Sequence, residues 1–242
     1  MWDNPRLLNA AASLLAGVAA AILLFLALQL LLRSPLFPLR EITVLGRLAH
    51  TGREDVERAA RHGVSGNFFA TDLAAVREAL EDLPWVRRVQ VRRLWPDRLE
   101  VTLEEHTALA RWGDAGLVNT HGERFAAQSA EKLPVFAGPA GAEGEVARRY
   151  RRFTELLAPL GGAPERVIQT QRLAWQLRLA GGLNLELGRD SADQPVERRL
   201  ARFVAAYPQT LARIQRRPHL ESWTVDLRYP NGFALRIPEL KG

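Results

Sequence analysis

The sequence predicts a single N-terminal transmembrane helix followed by an α+β soluble part. The soluble part reads as a β-α-α-β-β unit and then a mixed β domain with an antiparallel sheet, a C-terminal helix and a terminal hairpin. Three observations predict this. Leu7–Leu32 is a run of 26 residues without a charge, closed by Arg6 and Arg33. Residues 40–104 give the order strand, helix, helix, strand, strand in a unit of about 70 residues, the size of a small two-layer fold. Beyond Glu105 the pattern changes to short alternating segments separated by glycine-rich turns.

The apolar run contains only Asn9, Ser13 and Gln29 as strongly polar members. As a helix it would be about 39 Å long, against about 30 Å for the hydrocarbon core of a bilayer. A cleaved signal peptide has an apolar stretch of about 7–15 residues followed by small residues. Here Leu28-Gln29-Leu30-Leu31-Leu32 continues past any such site, so an uncleaved anchor is expected. Arg6, offset by Asp3, lies on one side and Arg33 and Arg40 on the other. The positive-inside rule is therefore nearly balanced, and charge alone leaves the orientation open.

Ser34-Pro35-Leu36-Phe37-Pro38 ends the helix, because proline lacks the N–H and restricts its predecessor. The short linker that follows keeps the next unit near the bilayer. Ile42 and Val44 alternate with polar neighbours in a strand stopped by Gly46. Thr51 with Glu54 reads as a capping box for a helix whose apolar face is Val56, Ala59 and Ala60, ended by Gly63 and Gly66. Phe68 and Phe69 are read as core plugs. Thr71 or Asp72 caps a second helix, with Leu73, Val76, Ala79, Leu80 and Leu83 at helical spacing and Pro84 as its stop. Trp85–Leu94 and Leu99–Leu103 form a hairpin about the turn Trp95-Pro96-Asp97, with one apolar and one charged face.

In the second half, Ala108–Trp112, Leu117–Asn119 and Glu123–Phe125 are short strands, and Pro134-Val135-Phe136 reads as an edge segment. Glu145–Leu157 is a helix with Val146, Tyr150, Phe153 and Leu157 inward. Val167–Ala180 is one long strand candidate, turned by Gly181-Gly182 into Leu183–Leu187. A helix from about Gln194 to Arg216 carries the stripe Val196, Leu200, Phe203, Val204, Leu211 and Ile214. The chain then runs through Trp223–Tyr229, a Pro230-Asn231-Gly232 turn and Phe233–Ile237, a terminal hairpin.

Several chemistries are excluded or weakened. There is no cysteine, so disulfides and thiolate metal sites are impossible. The net charge of +6 points weakly to nucleic acid, because 31 of the 33 basic residues are arginine, spread along the chain and interleaved with acids. His50, His62, His106, His121 and His219 show no metal spacing. Gly161-Gly162 and Gly181-Gly182 lack the lysine and hydroxyl of a phosphate loop. Glu104-Glu105-His106 is the best catalytic-looking cluster, but adjacent strand residues point to opposite faces. No enzyme activity, cofactor or small-molecule substrate is expected.

The last strand is the candidate site. A sheet edge offers unpaired N–H and C=O groups that another chain can continue. Tyr229, Phe233, Leu235 and Ile237 would flank that edge, and Arg228 and Arg236 would add charge. On the residues alone, the same set reads equally well as the core and surface of an ordinary hairpin.

Two stretches carry a resemblance. Phe37-Pro38-Leu39-Arg40-Glu41-Ile42-Thr43-Val44-Leu45-Gly46, and Leu83-Pro84-Trp85-Val86 through Arg92-Arg93-Leu94-Trp95-Pro96-Asp97-Arg98-Leu99-Glu100-Val101, resemble a POTRA domain. Ala110-Arg111-Trp112, Leu187-Gly188-Arg189-Asp190, Arg199–Val204 and Val225–Tyr229 with the Asn231-Gly232 turn extend the likeness over nearly the whole chain. Together they resemble the FtsQ/DivIB family of bacterial division proteins, with Thr107 standing where that family often has proline. The resemblance implies a cytoplasmic tail 1–6, a membrane helix 7–32, a linker 33–36, a POTRA domain 37–106 and a β domain 107–242. It implies an inner-membrane, type II topology with a periplasmic domain at the septum, and a scaffold that binds FtsB, and through it FtsL, by strand addition. The POTRA region would meet FtsK and other division proteins. The partner-binding residues it implies are Arg172, Arg228, Tyr229, Asn231, Gly232, Phe233, Leu235 and Ile237. A POTRA-type transport or envelope-assembly component is the rival; it would be expected to carry several POTRA units or an outer-membrane barrel.

Overall fold

A computed structural model describes residues 5–32, 34, 37–114, 116–210 and 223–236, in two compact units, Met1–Glu105 and His106–Gly242. The first unit begins with α1 (Pro5–Leu32). Its segment Asn9–Leu31 is long and apolar enough to cross a membrane and is not buried among the described residues. Its last turn is closed by Ser34, whose N–H and hydroxyl both donate to the Leu31 carbonyl at 3.2 and 2.7 Å.

The rest of the unit is β1 (Glu41–Leu45), α2 (Arg53–Gly63), α3 (Leu73–Glu81), β2 (Val86–Leu94) and β3 (Arg98–Glu105). The sheet order is β1-β3-β2, with β1 parallel and β2 antiparallel to the central strand. Val56, Ala60, Val76 and Leu80 of the helices pack on Val89, Val101 and Leu103 of the sheet. This is the β-α-α-β-β order that the hydrophobic periodicity predicts. The β2–β3 connection at Trp95-Pro96 is a cis peptide.

Two local readings change. Thr51 does not cap α2; Gly52 occupies that position and makes no side-chain cap bond. Instead the Thr51, His50 and Ala49 N–H groups donate to the Glu105 carboxylate, at 2.7, 3.2 and 2.7 Å. A full carboxylate from another strand is a stronger acceptor than a local hydroxyl, so the loop closes on β3 rather than on itself. Phe68 is buried, but Phe69 is 40% exposed and is not a core plug. Of the two caps considered for α3, Asp72 is the one used: its carboxylate accepts from the Ala74 N–H at 2.8 Å. Thr71 is buried and donates its hydroxyl to the Asn67 carbonyl at 2.7 Å.

The second unit contains β4 (Ala108–Trp112), β5 (Leu117–Asn119), β6 (Arg124–Phe125), β7 (Val135–Ala137), α4 (Glu143–Leu157), β8 (Arg166–Gln169), β9 (Ala174–Arg178), β10 (Leu183–Arg189), α5 (Val196–Thr210), β11 (Trp223–Asp226) and β12 (Ala234–Arg236). One mixed sheet takes the order β12-β11-β10-β9-β8-β7-β4-β5-β6. It is parallel at β4·β7, β7·β8 and β10·β11 and antiparallel elsewhere. Phe153 and Leu157 of α4 and Leu200 and Phe203 of α5 pack with Val167, Trp175, Leu177, Leu185, Leu187 and Val225 of the strands. The remaining predicted length of α5, with Leu211 and Ile214, lies outside the described residues.

Here too the strand readings are corrected. Residues 134–136 are not an edge. β7 lies between β4 and β8, parallel to both, and Phe136 is fully buried. Pro134 stands just before β7, and its carbonyl accepts from the Arg111 N–H at 2.8 Å. The long strand 167–180 is two strands, β8 and β9, folded back at Thr170–Leu173. Thr170 and Ala174 close that turn, and Leu173 adopts a left-handed φ of 59°.

Glu105 joins the far end of β3 to the loop before α2, and its charge state carries a consequence. Burial pushes its pKa up, but the Thr51 hydroxyl beside it and the N–H groups of Ala49, Thr51 and His50 outweigh this and hold it below the usual value. A carboxylate whose folded pKa is depressed stabilises the fold above its ordinary pKa, and that contribution is lost as pH falls through the folded value. Glu105→Gln is expected to cost about 1–3 kcal/mol near neutral pH, measured by urea unfolding. The difference from wild type shrinks in acid, where Glu105 itself is protonated.

Candidate functional site

β12 is the terminal strand of the nine-stranded sheet. Its residues Ala234, Leu235 and Arg236 pair with Asp226, Val225 and Thr224 of β11. No other strand among the described residues pairs on its outer side. The opposite edge, β6, is two residues long, and its Phe125 is buried under the stacked His106 ring at 4.1 Å.

The β11–β12 connection is fixed at both ends. Asp226 accepts from the Arg228 N–H at 3.0 Å and from the Arg228 guanidinium at 2.8 and 2.5 Å. Glu186 of β10 stands 3.6 Å from the same guanidinium. The Arg228 hydrogen bond is the main cause of a depressed Asp226 pKa, outweighing burial, with Arg236 adding to it. Further round the turn, Arg202 of α5 donates to the Tyr229 carbonyl at 2.9 Å and also to that of Pro230. Phe233 meets Phe203 of α5 edge to face, with ring centroids 5.7 Å apart.

The sequence-derived residues therefore fall into different environments. Tyr229 is 54% exposed. Asn231 is exposed as well, and Gly232 has open space where a Cβ would stand. Phe233 and Leu235 turn inward and pack on the core, so they do not line an outer pocket. Arg228 is committed to Asp226. Ile237 lies outside the described residues. Arg172 sits exposed in the β8–β9 turn. Because β8 and β11 run in the same sense, this turn and the 227–233 turn share one end of the sheet. Three strand spacings separate β9 from β12, about 14 Å.

Sequence reading assigned no role to Asp226, Arg202, Gly188 or Arg199. Gly188 is at a bulge of β10 with φ 76°, and a Cβ there would stand 2.8 Å from Cγ of Arg228. Buried Arg199 donates to the carbonyls of Leu187 and Arg189 on either side of that bulge, at 2.5 and 2.8 Å. Arg149 of α4 pairs with Glu145, Asp190 and Glu197, and its guanidinium lies 5.7 Å from the Trp175 ring centre. A further pattern lies on the sheet face away from the helices. Strand register aligns Arg166, Arg178, Asn184, Thr224 and Arg236 in one row across β8–β12. Arg166 directly faces Arg178, an unfavourable like-charge pair that an acidic neighbour would relieve.

The Glu104-Glu105-His106 cluster disperses, as strand geometry requires. Glu104 pairs with Arg87 at 2.6 Å, Glu105 holds the 49–51 loop, and His106 Nδ1 lies 2.9 Å from Nδ2 of Asn119. Among the described residues, no three His, Asp or Glu side chains form a metal-binding group.

Comparison with known proteins gives a consistent answer. The family model described as "POTRA domain, FtsQ-type" matches residues 37–106, and "Cell division protein FtsQ/DivIB, C-terminal" matches residues 110–228. The chain is 41% identical over 244 residues to "Cell division protein FtsQ" of Burkholderia pseudomallei (strain K96243), covering 100% of this chain and 96% of the relative. It is 42% identical over 241 residues to the protein of that name from Nitrosospira multiformis (strain ATCC 25196 / NCIMB 11849 / C 71), covering 98% and 99%. A third, from Bordetella pertussis (strain Tohama I / ATCC BAA-589 / NCTC 13251), is 37% identical over 262 residues, covering 99% and 94%. With an apolar helix long enough to cross a membrane, a POTRA fold and a mixed β unit, and relatives matching over essentially full length, the chain belongs to the FtsQ/DivIB family of cell division proteins.

Proposed function

We propose that this chain is a non-enzymatic scaffold of the bacterial divisome, anchored by α1 in the inner membrane with its N-terminus cytoplasmic and its two folded units periplasmic. It recruits and links early and late division proteins at the septum. It binds FtsB, together with FtsL, by adding a strand of FtsB to β12, while FtsK and other division proteins meet the POTRA unit. The observation that carries this reading is the geometry of β12, an outer strand with no further strand beside it among the described residues, whose turn is held by Asp226–Arg228 and by Arg202.

Strand addition draws affinity from backbone hydrogen bonds and specificity from neighbouring side chains. A preformed edge has lost its ordering entropy before the partner arrives. Tyr229, projecting beside the edge, supplies apolar contact, and Asn231 and Gly232 allow close approach. Arg236, Arg172 and the row containing Arg166 and Arg178 favour a partner with acidic residues.

Three outcomes are expected for FtsB binding measured by calorimetry. Tyr229→Ala weakens binding by on the order of 1–3 kcal/mol, as loss of an aromatic interface anchor does, with unchanged circular dichroism. Normal binding by that variant removes Tyr229 from the interface. Asp226→Asn loosens the hairpin by about 1 kcal/mol or less, because Arg228 is largely solvated, and weakens binding without touching the partner. As Asp226 has a depressed pKa, its contribution is present above the ordinary aspartate value of about 3.9 and is lost on acidification below it. Wild-type binding therefore falls in that acid window and the Asp226→Asn variant shows a flatter profile.

A further inference from the structure

The first unit exposes three large apolar side chains at one end: Phe69 at 40%, Leu94 at 42% and Trp95 at 78%. A chain of hydrogen bonds ties this end to the end of α1. The Ser34 carbonyl, two residues past the helix, accepts from Nδ2 of Asn67 at 2.8 Å. The Phe37 carbonyl accepts from the Phe68 N–H at 2.9 Å, and the Phe37 ring meets Phe69 edge to face at 5.1 Å. Arg93 then donates to the carbonyls of Phe68 and Thr71, at 2.9 and 2.6 Å, which sets Leu94 and Trp95 beside the 67–71 loop. The sheet register agrees, because Glu41 at the start of β1 pairs with Arg98 at the start of β3, and the Arg40 N–H donates to the Asp97 carbonyl at 2.9 Å. The β2–β3 tip therefore lies at the end of the sheet where the chain arrives from α1.

We propose that Phe69, Leu94 and Trp95 form an interfacial foot seated in the headgroup region of the bilayer that α1 crosses. This rests on reading α1 as a membrane span. The two Cα-to-Cα steps from Leu32 to Ser34 reach about 7 Å at most, so Asn67 and its loop stand close to the end of α1, where the chain leaves the membrane. At that level an indole is favoured, apolar body inward and N–H toward water. Arg40, Arg92 and Arg98 surround the tip and are exposed, each with a carboxylate neighbour (Asp97, Glu100 and Glu41). Their cationic heads suit a phosphate-rich layer. The tether supplies a high local bilayer concentration, so three side chains suffice where an untethered domain would need many more.

The chain has no cysteine, which makes site-directed spin labelling direct. The full chain is reconstituted in nanodiscs of phosphatidylethanolamine and phosphatidylglycerol, with a label at Trp95→Cys, Leu94→Cys, Arg88→Cys or Val18→Cys. Collision with oxygen is compared with collision with an aqueous nickel chelate. The labels at 94 and 95 are expected to favour oxygen, at a depth between the label at 18, within α1, and the water-exposed label at 88, at the far end of β2. Labels at 94 and 95 that match the one at 88, with 18 buried in lipid, overturn the foot while leaving the anchor intact. A water-exposed label at 18 overturns the anchor and the foot together.

Discussion

The described residues of β12, Ala234–Arg236, sit at the end of a nine-stranded sheet, and the turn that leads into them is fastened by charge. Asp226 grips Arg228 through a fork and a backbone N–H, and Arg202 reaches from α5 to two carbonyls of the turn. The three described residues of β12 form only a short ladder with β11. Without those fastenings and the Phe233–Phe203 contact, it would fray into solvent as sheet termini do. The fork also depends on the β10 bulge, since Gly188 leaves the space that the Arg228 stem fills and Arg199 holds the bulge open from beneath. Helix, bulge and hairpin thus converge on one edge.

The described sheets offer other edges, and their chemistry separates them from β12. β2 is nine residues long and lies at the margin of the small sheet, but it carries Arg87, Arg88, Arg92 and Arg93. Charged residues of one sign along an edge resist strand addition. β6 is too short and too well covered to receive a strand. β12 offers Ala234 outside, Leu235 inside and one arginine. It is less protected against a partner strand than β2 or β6.

Much of this was legible from periodicity. The strand-helix-helix-strand-strand order and the terminal hairpin follow from alternation of two or 3.6 residues. What escaped was non-local or lacked punctuation. The Thr170–Leu173 turn contains neither glycine nor proline, and its left-handed position is taken by leucine. β7 joins the middle of the sheet through parallel neighbours far away in sequence, which a three-residue apolar segment does not announce. Arg202 acts on carbonyls 27 and 28 residues ahead. One signal was present and unused: period two places Phe233 and Leu235 together, and once Val225 faces the core its partner Leu235 must as well. Tyr229, outside the ladder, stays largely exposed.

The central claim is that a partner strand continues the sheet at β12. The most direct measurement is residue-resolved hydrogen exchange of the full chain in nanodiscs, with and without the periplasmic segment of FtsB. Strand addition predicts new protection of backbone amides within Ala234–Arg236, with little change at β6 and along β2. Saturated FtsB binding with β12 amides exchanging as fast as in the free protein would contradict it.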